Sequence, residues 1–146
     1  MTDHENQIHI FISYASFSNN YTVCKLQSFE RKKYYQEIAE LNKSGELIVQ
    51  CAELEIDPAQ LEPYLKFLKE EIQTSINIEP GFLTLYSMAD KDDPTKIKLV
   101  EVYGNREACD SHIASSHFKK YKTSTMHMIK NLKLTPSKPV LFAAKD

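Results

Sequence analysis

The stretch LVEVYGNREACDSHIASSHF, residues 99–118, decides the fold that we predict for this chain. The residues before Gly104 are apolar apart from Glu101 and predict a strand. A helix is expected to begin after Asn105, because asparagine commonly caps helix N-termini. A Ser-Ser pair then interrupts the helix before His117. The stretch therefore predicts a strand, a short turn and a helix in two pieces.

The same stretch carries the candidate acid–base groups. If Glu101 is buried, its charged form is disfavoured and it becomes a proton acceptor nearer neutrality; the alternative is a carboxylate that is paired across a dimer or caps a backbone amide. A histidine titrates near neutral pH, so His112 serves as an acid or base unless it only bonds a backbone carbonyl. On one continuous helix, His112 and His117 would point ~140° apart. Only a break at Ser115-Ser116, with Ser116 capping the second piece, aims both at one cavity.

Working outward, the periodicities predict the order β-α-β-β-α-β. Capping and turn residues support two of these elements, because Asp57-Pro58 opens a helix and an Asp-Asp-Pro turn joins two strands into a hairpin. The predicted strands are 47–56, 82–88, 97–103 and 140–144, and the helices begin after Asp57, Asn105 and Ser115-Ser116, the last running to about Asn131. This order predicts a ferredoxin-like α+β fold, with helices on one face of an antiparallel sheet.

The other face of the predicted sheet is also apolar, and such a face would be a large exposed patch in water. A second copy of the chain is its simplest cover. We therefore expect a homodimer that buries ~2,000 Å² or more, as obligate pairs do.

The first third of the chain is patterned differently. Residues 1–25 suggest an arm, and helical spacing predicts a helix at 28–42 that stops at Gly45. We therefore predict two parts, an N-terminal extension at 1–45 and a ferredoxin-fold domain at 46–146.

Composition excludes several classes of function. The 146 residues carry a net charge of −2, which argues against nucleic acid as a partner. No apolar run approaches the ~20 residues of a membrane-spanning helix, and the N-terminus lacks the basic region of a secretory signal. We therefore expect a cytoplasmic protein without a membrane partner. The three cysteines are odd in number and form no CxxC pair, so neither a disulfide framework nor a zinc site is indicated.

Four motifs, in order, carry a family resemblance over residues 47–132. They are Glu79-Pro80-Gly81, Asp92-Asp93-Pro94-Thr95, Val100-Glu101-Val102-Tyr103, and Ala108 followed by His112 and Ser115-Ser116-His117-Phe118. This combination resembles the antibiotic biosynthesis monooxygenase family of dimeric α/β barrels, and within it the small quinol-monooxygenase-like branch.

The resemblance implies a cofactor-independent enzyme that oxidises a small aromatic or quinol substrate with O2, without metal or flavin. Related branches degrade haem or isomerise small phosphorylated sugars. The haem-degrading branch uses a pocket tryptophan and a histidine after the Phe. This chain has no tryptophan and carries Lys122 where that histidine is expected, which argues against haem degradation.

These considerations select the candidate site. We predict His112, Glu101 and His117 as catalytic residues. The predicted substrate-binding residues are Tyr86, Tyr103, Ser116, Phe118, Phe67 and Gln50. Each aromatic residue has an alternative role in plain core packing. Two other functions stay open: an isomerase or lyase that uses the same base to form an enolate, and a non-catalytic dimeric domain that holds an apolar ligand.

Overall fold

The structure is a computed structural model that describes residues 32–43 and 45–142. Its helices are α1 (32–43), α2 (Leu61–Ile78), α3 (Arg106–Ala114) and α4 (Ser116–Thr125), and its strands are β1 (Ile48–Ile56), β2 (Phe82–Ala89), β3 (Lys96–Tyr103) and β4 (Ile129–Ser137). Single 3-10 turns at Pro58–Gln60 and Met126–Met128 precede α2 and β4. Among the described residues, none of the helices has the length and apolar character needed to cross a bilayer.

The four strands form one antiparallel sheet in the order β2-β3-β1-β4. With α2 between β1 and β2, and α3 and α4 between β3 and β4, this is the predicted ferredoxin-like arrangement. The register sets Gln50 opposite Glu101 and Ala52 opposite Leu99. Alternate residues of a strand share a face, so Glu101 lies on the face that carries the main core.

That core fills the space between the sheet and α2. Ala52, Leu54 and Ile56 of β1 pack against Tyr64 and Leu68 of α2. Ile56 and Tyr64 are completely buried. The predicted cap Asp57 begins the 3-10 turn that leads into α2, where its carboxylate accepts the Ala59 N–H at 3.0 Å.

The last strand differs from the prediction. Helix α4 ends at Thr125 rather than near Asn131, and the fourth strand is Ile129–Ser137 rather than 140–144. Residues 140–142 are not in a strand, and 143–146 lie outside the described residues. Apolar and polar residues alternate after Met128, which favours a strand over a longer helix. Leu132 and Leu134 of this strand pair with Leu54 and Ala52 of β1. Pro136 is tolerated because β4 is an edge strand, where a missing N–H breaks no inner ladder.

The second face of the sheet is partly covered by the chain itself. Ile38 of α1 is 2% exposed and packs with Val49 and Val102. The Tyr34 hydroxyl donates to the Leu83 carbonyl. Helix α1 therefore covers part of the face for which we expected a second copy of the chain as the cover.

Helix α1 agrees with the predicted helix within the described range. Residues 28–31 of the prediction lie outside it. Gly45, the predicted stop, has φ +75°, a backbone conformation that glycine adopts without steric cost. The division of the chain at 45/46 stays a prediction.

Candidate active site

The predicted base, Glu101, lies on β3, on the face of the sheet that packs against α2. The Tyr103 hydroxyl donates to Glu101 Oε2 at 3.1 Å, and the buried Tyr103 ring packs edge-on against Phe82 with ring centroids 4.6 Å apart. Burial raises the pKa of the Glu101 carboxyl, and the Tyr103 hydroxyl and nearby His112 offset this only in part. The pKa of Glu101 is therefore closer to neutrality than that of an ordinary glutamate. A general base that works near neutral pH requires such a shift.

His112 is one of the most enclosed polar groups of the molecule. It lies on α3, whose predicted cap is present, because the Asn105 side chain accepts the Ala108 N–H at 2.8 Å. The His112 side chain is 3% exposed, and its Nδ1 lies 2.9 Å from Glu79 Oε1. Phe82 and Phe118 flank the imidazole, with ring centroids 4.8 and 4.6 Å away. The imidazole therefore has one carboxylate partner in an otherwise aromatic environment.

The break between α3 and α4 brings His117 to the same place. Ser115 leaves the helical conformation at φ −63°, ψ 151°, and its hydroxyl accepts the Phe118 N–H at 3.2 Å. The sequence suggested Ser116 as the cap of α4, but in the structure the cap is Ser115. The break turns the two imidazoles toward each other, with ring centroids 5.9 Å apart. A break in the helix was the condition for both histidines to face one cavity, and the structure meets this condition.

Two carboxylates complete the cluster, and neither was selected from the sequence. Glu71 Oε1 lies 3.0 Å from His117 Nδ1 and accepts the Ser75 hydroxyl at 3.0 Å. Glu79 Oε1 lies 2.9 Å from His112 Nδ1 and 2.9 Å from His117 Nε2. We name Glu71, Glu79, Glu101, His112 and His117 the acid–base cluster.

A signal for each missed carboxylate was present in the sequence. Glu71 falls in line with Tyr64, Leu68 and Ser75 at helical spacing, so it occupies a core position of α2. A carboxylate at a core position needs a partner. Glu79 belongs to the Glu-Pro-Gly motif, and its place at the end of α2 lets its carboxylate reach α3.

The predicted substrate-binding residues divide into two groups. Tyr103 and Phe118 contact members of the cluster, and Gln50 lies opposite Glu101 on β1. Phe67 lines a small cleft beside the cluster with Glu71 and His117, among others. The cleft has a volume of about 20 Å³, enough for about one water molecule.

The structure does not bring Tyr86 or Ser116 to the cluster. Tyr86 pairs with Val100, which places it on the opposite face of the sheet from Glu101. It is 52% exposed, and its hydroxyl lies 3.2 Å from that of Tyr35. Ser116 is exposed at the first position of α4. Strand parity and the β2–β3 register, which the sequence alone did not fix, account for Tyr86.

Within the described part of the chain, no three His, Cys, Asp or Glu side chains are placed to hold a metal ion. The histidines of the cluster face carboxylates instead. The arrangement equips the site to accept and donate protons.

Comparison with known proteins places the chain in a family. Residues 47–124 match the profile of the antibiotic biosynthesis monooxygenase family. Among curated protein sequences, none matches the chain significantly. A solved structure from Bacteriodes thetaiotaomicron VPI-5482, of a protein provisionally named after this family, is 40% identical with a TM-score of 0.67. The match covers 70% of this chain and 97% of that one.

Two further structures are similar. A protein of Lactobacillus acidophilus NCFM, provisionally named a monooxygenase, is 30% identical with a TM-score of 0.61, over 62% of this chain and 43% of that one. A Caulobacter crescentus CB15 protein, provisionally named after the family, shows the same fold at 20% identity and a TM-score of 0.62, over 66% and 92% of the two chains. The family profile spans more than half of the sequence, and the chain belongs to the antibiotic biosynthesis monooxygenase family.

Proposed function

We propose that this protein is a cofactor-independent monooxygenase that oxidises a small aromatic or quinol substrate with O2. The observation that supports the proposal is the acid–base cluster. It combines a carboxylate of raised pKa, Glu101, with an imidazole, His112, that is almost completely enclosed and bonded to a second carboxylate.

The cluster supplies what cofactor-free oxygenation requires. Glu101 accepts the proton of a substrate hydroxyl, and the resulting anion is electron-rich enough to transfer an electron to O2. One oxygen atom enters the ring and the other leaves as water, so the substrate provides all the electrons. His112, held by Glu79, donates one of the two protons of that water, and the other comes from the ring carbon that is oxidised. The Tyr103 hydroxyl stays on Glu101 and positions it.

An aromatic substrate needs more room than the observed cleft provides. The cleft volume of about 20 Å³ holds about one water molecule, whereas drug-sized ligands occupy cavities of ~300 Å³ or more. Phe67 and Tyr121 form part of the cleft wall. Substrate entry in this proposal therefore moves these two side chains apart, and their return excludes water from the anion.

The protein acts as a homodimer in this proposal. Leu132 and Leu134 on the edge strand β4 are 49% and 53% exposed, and Tyr86 and Met88 are 52% and 51% exposed on the second face. Exposed apolar groups of this kind are typical of association surfaces. Among the residues that the structure describes, helix α1 covers only part of the second face, which leaves room for a second copy.

Oxygen uptake with a panel of quinols and polycyclic phenols tests the function. We expect uptake that depends on the enzyme and persists after dialysis against chelators. Proton exchange at a carbon next to a carbonyl, without oxygen uptake, would identify the isomerase or lyase instead. Tight binding without turnover, unchanged in His112→Ala, would identify a binding domain.

A further inference from the structure

The acid–base cluster contains more titratable groups than the oxidation uses. Glu101 and His112 suffice to take one proton from the substrate and give one to oxygen. Glu71 is nevertheless buried, at 6% exposure, and burial of a second and third carboxylate is costly unless they have partners. Both extra carboxylates contact His117.

The contacts form a continuous line from the cleft to the enclosed imidazole. Glu71 Oε1 and His117 Nδ1 are 3.0 Å apart, His117 Nε2 and Glu79 Oε1 are 2.9 Å apart, and Glu79 Oε1 and His112 Nδ1 are 2.9 Å apart. Glu71 and His117 also line the cleft. The outer end of the line therefore meets solvent, whereas its inner end does not.

From this geometry we infer that Glu71, His117 and Glu79 conduct protons between the cleft and His112. The inference rests on the proposed function. Each turnover leaves His112 one proton short, and its 3% exposure keeps water from replacing that proton directly. A proton from a cleft water enters at Glu71, passes to His117 Nδ1, leaves His117 at Nε2, and reaches His112 Nδ1 through Glu79. Atoms and charge balance because Glu101 returns the substrate proton to solvent.

One link of the path is not aligned at rest. His117 Nε2 is buried without a well-directed hydrogen bond within the described residues, although Glu79 Oε1 is only 2.9 Å away. A small rotation of the imidazole or carboxylate aligns the pair.

Several titratable and charged groups face His117. Within the described residues they are Glu71, Glu70 and Tyr121 around the cleft, Lys120 on its own helix, and Glu79 and His112 on the inner side. Lys120 is bonded to Glu70 at 2.6 Å, which leaves the carboxylates of Glu71 and Glu79 as the direct partners of the imidazole.

The first test measures proton exchange by NMR and needs no substrate. We compare the exchange of the His112 ring N–H with water in the wild type, Glu71→Gln and His117→Phe, with the exposed His127→Phe as the control. The path predicts that exchange slows by at least about tenfold in both cluster variants, as for other positioned proton-transfer groups. Glu71→Gln keeps the shape and the Ser75 contact, so it separates proton transfer from folding. Exchange as fast in Glu71→Gln as in the wild type would overturn the inference.

The second test uses turnover and chemical rescue. His117→Ala is expected to lower kcat by at least about tenfold with little change in KM, and added imidazole to restore it by replacing the missing ring. A variant that keeps wild-type kcat, or loses it without rescue while its melting temperature is unchanged, would contradict the path. Absence of oxygen uptake by the wild type would reject the proposed function alone, because the exchange measurement still decides the path.

Discussion

At the scale of single residues, Glu101 links the site to stability. Its pKa in the folded protein is raised above the ordinary value of 4.5, so the folded state binds more protons than the unfolded state between the two values. The free energy of unfolding therefore falls as pH rises through that window. Glu101→Gln removes the half-buried charge, and we expect the stability of the variant relative to the wild type to be higher at pH 7 than at pH 4. Urea unfolding at both pH values measures this. An equal difference at both, or the same gain in the exposed Glu55→Gln, would contradict the account.

A second residue-scale prediction concerns the glycine of the Glu-Pro-Gly motif. A Cβ at Gly81 would lie 2.4 Å from the Cβ of Ala108 on α3, closer than two carbon atoms pack. We expect Gly81→Ala to destabilise the fold by ~1–3 kcal/mol, the usual cost of overpacking. The double variant with Ala108→Gly should recover most of the loss in the same unfolding experiment. No recovery would show that another cause dominates.

Residue by residue, the sequence predicted the half of the site that lies on one segment. Glu101, His112 and His117 fall within 20 residues. Helix geometry showed that the two histidines meet only if the helix breaks between them. Glu71 and Glu79 come from a helix far away in the chain, and only tertiary packing brings them to the histidines. Tyr86 was misplaced for the same reason, since the strand register decides which face a side chain occupies.

At the scale of elements, α1 lies before the family match, which begins at residue 47. Its contact with the sheet depends on Ile38, which packs against Val49 and Val102. We expect Ile38→Ala to cost ~2–5 kcal/mol, as for other buried isoleucines, whereas Gln36→Ala on the exposed side of α1 should change little. The free energy of unfolding in urea measures both. Equal small effects would show that α1 does not stay on the sheet in solution.

The break between α3 and α4 gives a second element-scale prediction. Ser115 caps α4, and loss of such a cap costs ~1 kcal/mol. We expect Ser115→Ala to lose about that amount of stability, and also kcat, because His117 is no longer held beside His112. Ser116→Ala, one residue along and exposed, serves as the matched control. The account is wrong if the two variants behave alike.

Elements whose ends carry capping or turn residues were predicted well, whereas the C-terminal strand was not. Asp57, Asn105 and Gly45 mark helix ends by local hydrogen bonding or backbone freedom, which the sequence shows directly. Helix α4 has no such stop at Thr125. The competition between a longer helix and a strand is decided by pairing of β4 with β1, a non-local interaction that periodicity does not reveal.

At the scale of the whole molecule, the exposed leucines of β4 and the uncovered part of the second face lead us to expect a dimer. Sedimentation velocity at micromolar concentration should show a single species of twice the mass of 16.9 kDa. Leu134→Lys should shift it toward monomer, because a charge replaces apolar surface, whereas Lys133→Ala, on the other side of the strand, should not. A stable wild-type monomer would remove the dimer from the proposal.

The central claim is that a half-buried carboxylate on the sheet, Glu101, removes the substrate proton. Steady-state oxygen consumption with a quinol substrate, compared between the wild type and Glu101→Gln, tests it most directly. The account predicts a loss of kcat of ~100-fold or more, the usual contribution of a general base, with Glu55→Gln at the wild-type rate. Oxygen consumption by Glu101→Gln equal to that of the wild type would contradict it.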